Sequence, residues 1–194
     1  MSLWIPRVVV LLASIVMIAI RAPHGQRSRQ VTVARSHRGV LEIVLLTTAW
    51  VGFFIPLIWV AYPPIFKFAE YATEPVSVVG GTLLLAFSLY VFFRSHADLG
   101  TNWSITLEVR EKHRLVVDGV YRRIRHPMYL ALFLYGVGQA LVLANWFAGP
   151  SYFVVMFVMF CFRLRAEEHM MVVTFGKDYE QYMARTKRLI PGVW

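Results

Sequence analysis

The stretch RHPMYLALFLYGVGQALVLANWFAGPSYFVVMFVMFCFRLRAEE, residues 125–168, decides how this chain folds. It opens with a basic pair, closes with a pair of carboxylates, and is almost entirely apolar between them. Two apolar runs, 128–144 and 151–162, are separated only by residues 145–150. A connection this short joins neighbouring antiparallel helices. The stretch therefore predicts a helical hairpin.

An antiparallel hairpin brings its two polar ends together. A helix rises about 1.5 Å per residue on both arms, so a turn centred near Phe147 places His126 level with Glu167 and Glu168. Glu167 follows Arg163 by one helical turn and shares its face, whereas Glu168 points about 100° away. Charged groups at the rim of apolar helices are costly, which makes this cluster the candidate functional site, with Glu167 preferred.

The composition is that of an integral membrane protein. Of the 194 residues, 58% are hydrophobic and 16% are charged, whereas soluble domains have about 45–50% apolar and about 25% charged residues. A membrane-spanning helix needs roughly 17–25 mostly apolar residues. We expect an all-α, polytopic fold with about five transmembrane helices, whose apolar runs are residues 3–20, 40–62, 75–93, 128–144 and 151–162.

The basic residues indicate the orientation of these helices. They concentrate in residues 21–38, in residues 94–127 and after residue 162, and cytoplasmic loops carry an excess of Lys and Arg. We expect the N-terminus outside, with the C-terminus and the candidate site on the cytoplasmic side. The net charge of +9 then reflects topology and lipid headgroups, and we expect no binding of nucleic acid.

The whole chain, residues 1–194, is expected to form a single membrane domain. Residues 1–97 would hold three spans, and residues 98–194 a catalytic loop, the hairpin and a C-terminal cytoplasmic helix. No metal site is expected, because His113, His126 and His169 lack the His-x-x-x-His spacing that places two imidazoles on one helix face. A double glutamate can also be no more than a solvated helix end.

Several motifs in the second half of the chain combine into one recognisable pattern. They are Gly119-Val120-Tyr121, Arg125-His126-Pro127-x-Tyr129, Glu167-Glu168, Phe175-Gly176, Tyr179, Tyr182 and Arg185. Together they resemble the membrane-embedded isoprenylcysteine carboxyl methyltransferase family, over residues 113–191. The length and the expected five spans resemble a compact prokaryotic, archaeal member.

The resemblance implies an enzyme that transfers methyl from S-adenosyl-L-methionine to the C-terminal carboxylate of a prenylated cysteine, with S-adenosyl-L-homocysteine and a methyl ester as products. It implies as partners a prenylated cysteine or prenylated protein C-terminus and membrane lipid, with no metal. Arg163 and Tyr129 are expected to bind the substrate, and Arg163 and Glu167 to act in catalysis. The expected cofactor-binding residues are His113, Arg114, Leu115, Val116, Tyr121, Arg125, His126, Pro127, Met128 and Glu167.

Three alternatives stay open. A membrane methyltransferase acting on a phospholipid amine or a thiol would share the cofactor half of the site. A membrane sterol reductase using NADPH has a related hairpin architecture. A non-enzymatic scaffold could use the same Arg and Lys residues to bind anionic lipid.

Overall fold

The computed structural model describes residues 4–29, 33–36, 39–104, 106, 108–110 and 114–193. Two short strands within these ranges, β1 (Val33–Ser36) and β2 (Glu108–Arg110), pair antiparallel as a two-stranded ribbon. The predicted all-α class is confirmed, with this ribbon as a minor addition. The α-helices are α1 (Trp4–Arg29), α2 (Val40–Ala61), α3 (Pro75–Leu99), α4 (Pro127–Val142), α5 (Ser151–Phe175) and α6 (Lys177–Arg185).

In the described part of the chain, three helices are long and apolar enough to cross a membrane, namely α1, α2 and α3. The apolar helix α4 has only 16 residues, and α5 carries its charged residues in its second half. A membrane fold is thus supported, while the count of five spans stays a prediction. The helices α1 and α5 continue well past the expected ends at residues 20 and 162, because hydrophobicity marks the apolar part of a helix and not its full length.

The outer faces of the helices are apolar, as contact with lipid requires. Ile43 of α2 and Leu83 of α3 are 61% and 67% exposed. The inner faces pack apolar side chains and also carry a few polar ones. The Ser88 hydroxyl of α3 donates to the Ala131 carbonyl of α4 at 2.8 Å, and Ser14 of α1 hydrogen-bonds the Tyr135 hydroxyl at 2.8 Å. Between membrane helices, where lipid competes equally for apolar surface, such contacts provide specific association.

Glycines allow α3 and α4 to approach each other closely. A Cβ added to Gly81 would lie 2.7 Å from the Gly138 carbonyl oxygen, and one added to Gly138 would lie 3.0 Å from the Gly81 carbonyl oxygen. Gly80, the neighbouring residue in the sequence, has open space around it. Of the adjacent residues Gly80 and Gly81, only Gly81 is therefore required for helix packing.

The predicted hairpin of α4 and α5 is confirmed, and side chains fix its turn. The buried Asn145 amide donates to the Phe66 carbonyl at 2.8 Å, and its oxygen accepts from the N–H groups of Phe147 and Ala148. Gln139 of α4 donates to the Gly149 carbonyl at 2.9 Å. The turn thus satisfies its own backbone groups, which buried polar groups require.

Gly81→Ala is expected to destabilise the protein, and Gly80→Ala is its matched control. Both changes add the same methyl group and the same helix propensity, but only the first forces α3 away from α4. Overpacking of this kind typically costs about 1–3 kcal/mol. Thermal unfolding of the two purified variants measures the difference, and equal unfolding temperatures would show that the close approach is absent.

Candidate active site

The rim of the hairpin joins the residues that the antiparallel geometry predicts to be level. His126 immediately precedes α4, and its Nε2 lies 3.4 Å from Glu168 Oε1. Its Nδ1 lies 3.8 Å from Glu167 Oε1. The Tyr129 hydroxyl donates to Glu167 Oε2 at 3.1 Å. His126 and the first turn of α4 therefore contact both adjacent glutamates of α5.

Glu168 is the most heavily bonded group of the site. Arg125 reaches its carboxylate at 3.0 Å, and Arg188 does so at 2.7 Å. Arg125 also donates to the carbonyls of Met183 and Thr186. Its backbone N–H donates to the Lys187 carbonyl at 2.8 Å. Glu168 and Arg125 therefore dock the segment after α6 against the start of α4.

Two opposing effects act on the pKa of Glu168, which lies beyond the apolar part of α5. Burial raises this pKa, but the hydrogen bonds from His126, Arg188 and Arg125 lower it by more, so that it lies well below its usual value. Hydrogen bonds and positive charges that favour the ionised form have this effect. The Glu168 carboxylate is consequently charged throughout the physiological pH range.

The loop before the hairpin is fixed by hydrogen bonds to α3 and α6. Gly119 has a φ of +61°, and a side chain there would collide with the Asp98 carboxylate, which accepts from the Val120 N–H at 2.8 Å. The Tyr182 hydroxyl of α6 donates to the Tyr121 carbonyl at 2.6 Å. Burial raises the pKa of Tyr182 to about 12, so this phenol keeps the proton that it donates.

A cavity of about 220 Å³ adjoins this cluster. Its wall has a polar part at the hairpin rim and an apolar part between α1, α2 and α5. The polar part includes Tyr121, Arg125, His126, Tyr129 and Glu167. The apolar part includes Met17, Ile18, Leu46, Phe53, Met156 and Met159.

The structure brings most of the expected site residues to this cavity. Arg114, Leu115, Val116, Met128 and Arg163 line it together with the polar residues named above. Pro127 is buried at the first turn of α4 but does not line the cavity. His113 lies outside the described residues. No group of three or more His, Cys, Asp or Glu side chains in the described ranges could hold a metal ion.

Two features of the wall were not anticipated from the sequence. Arg163 pairs with Glu42 of α2 at 3.1 Å, and both side chains are buried. Trp103 donates its indole N–H to the Met128 sulfur at 3.3 Å, and its ring lies beneath the guanidinium of Arg21. The sequence does contain an indication of the ion pair between Arg163 and Glu42, because Glu42 is the only acidic residue within the second apolar run, 40–62.

Glu168→Gln is expected to destabilise the protein at neutral pH, because two arginines lose their charged partner. Breaking a buried ion pair typically costs about 3–5 kcal/mol, and the partial exposure of Arg188 places this case at or below the lower end. The lowered pKa means that the contribution is present above the ordinary carboxyl pKa of about 4.3 and is lost as the pH falls below it.

Unfolding temperatures measured between pH 7 and pH 3 test this expectation. The difference between the natural chain and Glu168→Gln should shrink below about pH 4. Glu180→Gln, which changes an exposed glutamate of α6, is the matched control and should show little effect. A difference that is independent of pH would mean that the charge of Glu168 is not what docks the C-terminal segment.

Comparison with known proteins shows which family the hairpin is similar to. The model of the isoprenylcysteine carboxyl methyltransferase (ICMT) family matches residues 79–173, which contain α4, most of α3 and nearly all of α5. The match agrees with the resemblance carried by the motifs and extends it into α3.

Proteins that are similar in sequence to this chain include protein-S-isoprenylcysteine O-methyltransferases. The Schizosaccharomyces pombe protein is 32% identical over 128 residues, which cover 65% of this chain and 52% of the relative. The Homo sapiens protein is 30% identical over 115 residues, covering 58% and 40%. The chain thus spans about half of its relatives' length or less. The expected archaeal type is not borne out, because these relatives are eukaryotic.

A solved structure shares the fold. It is that of a eukaryotic intramembrane Ras methyltransferase, an isoprenylcysteine carboxyl methyltransferase, with a TM-score of 0.55 and 24% identity. The superposition covers 82% of this chain and 55% of that one. Residues 79–173, slightly less than half of the chain, are thus similar to the isoprenylcysteine carboxyl methyltransferase family.

Proposed function

We propose that the protein is a membrane methyltransferase that esterifies the C-terminal carboxylate of a prenylated cysteine. One observation carries the proposal, namely that a single cavity is lined by the polar rim of the hairpin and by apolar side chains of α1, α2 and α5. A polar cofactor and a lipid-linked acceptor require such a combination.

S-adenosylmethionine is the proposed methyl donor, and the carboxylate of Glu167 fits it. Glu167 Oε2 accepts from Tyr129, while Oε1 is 3.8 Å from His126 and has no hydrogen-bond donor among the described residues. Glu167 can therefore accept from the ammonium or a hydroxyl of the cofactor. Leu115, Val116 and Met128 add apolar surface to the same wall. When bound, S-adenosylmethionine would supply a methyl group on a positively charged sulfur.

The protein needs no general base for this reaction. A terminal carboxylate has a pKa of about 3.3–3.7 and is ionised at neutral pH. The residues of the site therefore act by positioning the two reactants and excluding water. We assign Arg163 to the acceptor side, oriented by its ion pair with Glu42. Arg125 is committed to Glu168 and two carbonyls, so we assign it the role of positioning His126.

We also propose the topology that the charge pattern indicates. In this arrangement the chain has about five spans, α4 and the first part of α5 forming the last two, with the N-terminus outside. The hairpin rim, α6 and the C-terminus lie on the cytoplasmic side, where S-adenosylmethionine is available. The single membrane domain then comprises three N-terminal spans, residues 1–97, and a catalytic part, residues 98–194.

Transfer of labelled methyl from S-adenosylmethionine tests the function. The purified protein is offered an S-farnesylcysteine analogue, a phospholipid amine and a thiol, and the label is expected in a base-labile methyl ester of the first. Transfer of the label to the phospholipid amine or to the thiol would mean that this compound, and not a prenylated cysteine, is the class of substrate. Binding of NADPH without S-adenosylmethionine would favour a reductase, and binding of neither would favour a scaffold.

Glu167→Gln is expected to weaken S-adenosylmethionine binding by about tenfold or more, because a hydrogen bond to a charged group is lost. Glu180→Gln should leave the affinity unchanged, since Glu180 is exposed on α6. A binding titration of each variant provides the measurement. An unaltered affinity in folded Glu167→Gln would remove Glu167 from the cofactor half of the site.

A further inference from the structure

Arg21 of α1 lines the cavity and has no acidic partner among the described residues. Its guanidinium carbon is 5.4 Å from the ring centroid of Trp103. Its buried Nε has no hydrogen-bond partner in the part of the chain that the structure describes. The hydrogen bonds and ion pairs of the described residues give Arg21 no acceptor. A cation held away from water is costly unless it is paired, and the cation–π contact compensates for only part of that cost.

Two further arginines of this wall that are at least partly buried are already paired. Arg163 lies 3.1 Å from the Glu42 carboxylate, and Arg125 lies 3.0 Å from that of Glu168. Among the described residues, no ion pair joins Arg21 to Glu167, the acidic residue of the same cavity wall. Its neighbour Trp103 contacts the imidazoles of His24 and His96, and one nitrogen of each ring has no partner. The site around Arg21 is thus suited to an anion.

The position of Arg21 indicates which anion would reach it. Met17 and Ile18 precede Arg21 by about one helical turn, so the three side chains share one face of α1, and all three line the cavity. Leu46 and Phe53 of α2 line the same apolar part, whereas Asn102 and Trp103 belong to the polar part. Arg21 therefore lies where the apolar wall meets the polar wall.

An S-prenylcysteine has the same order of apolar and polar parts as the cavity wall, since its isoprenoid chain is followed by a terminal carboxylate. With its chain along the apolar wall, its carboxylate would arrive at the boundary that Arg21 marks. We propose that Arg21 binds the carboxylate of the acceptor, as a second arginine beside Arg163. This inference rests on the proposed function. A planar guanidinium can hold a carboxylate through two hydrogen bonds at once.

Arg7 provides a matched control on the same helix. Its guanidinium also lies over a tryptophan, 5.5 Å from the ring centroid of Trp59, and its Nε is likewise buried without a partner. Arg7 lines a separate cavity together with Trp59 and Lys67. The two arginines thus differ in the cavity that they face, and Arg7→Gln reports the general effect of removing a half-buried arginine from α1.

The test compares binding of S-farnesylcysteine with that of its neutral carboxamide, by the full chain in lipid nanodiscs. The natural protein should prefer the acid, and Arg21→Gln should reduce this preference by about ten- to a hundredfold, the usual effect of losing a charged hydrogen-bonding partner. Carboxamide binding and S-adenosylmethionine binding should stay within about twofold. Arg7→Gln should keep the full preference for the acid.

Two results would overturn the inference. The first is an unchanged acid preference in Arg21→Gln. The second is a loss of S-adenosylmethionine affinity in that variant, which would assign Arg21 to the carboxylate of the cofactor. If Arg21→Gln does not fold, the acid preference is measured in Arg21→Lys instead. Lysine keeps the positive charge but cannot hold a carboxylate through two parallel hydrogen bonds. An acid preference equal to that of the natural chain would then overturn the proposal.

Failure of the underlying function gives a different result. If the natural chain binds neither form of prenylcysteine, or methylates only another acceptor, the proposed function fails and this inference fails with it. If the natural chain methylates S-farnesylcysteine while Arg21→Gln discriminates acid from carboxamide as before, only the role of Arg21 is lost.

Discussion

The carboxylate of Glu168 is the constraint on which the site depends. It is 8% exposed and accepts bonds from Arg125, His126 and Arg188. These partners come from the start of α4 and from the segment after α6, so a single charge joins three parts of the chain. Removing one partner of a buried carboxylate strongly destabilises a protein. Its three donors therefore act as a set that holds the rim in one arrangement.

Adjacent glutamates on one helix have different tasks in this arrangement. The side chains of Glu167 and Glu168 point about 100° apart, so one faces the cavity and the other faces the C-terminal segment. Glu168 is saturated with donors, whereas Glu167 keeps an oxygen available to a ligand. Rigid support behind a binding group is what holds it in a productive geometry. The structural role of one glutamate thus serves the proposed cofactor role of the other.

The hairpin could be predicted from the sequence because helix geometry fixes it. Two apolar runs joined by residues 145–150 bring His126 level with Glu168, and the observed separation of 3.4 Å agrees with this placement. The pairs Glu42–Arg163 and Arg21–Trp103 could not be predicted in this way. They depend on how α1 and α2 pack against the hairpin, and helices that are apolar on all sides carry no periodicity to indicate their neighbours.

Photo-crosslinking is the most direct measurement of whether the cavity beside the hairpin rim also receives the isoprenoid chain of the acceptor. An S-prenylcysteine with a photoreactive isoprenoid tail should label residues that line the apolar wall, such as Met17, Leu46, Phe53 and Met156, and excess S-farnesylcysteine should suppress the labelling. Labelling confined to lipid-facing residues such as Ile43 and Leu83, or unaffected by the competitor, would contradict a shared cavity.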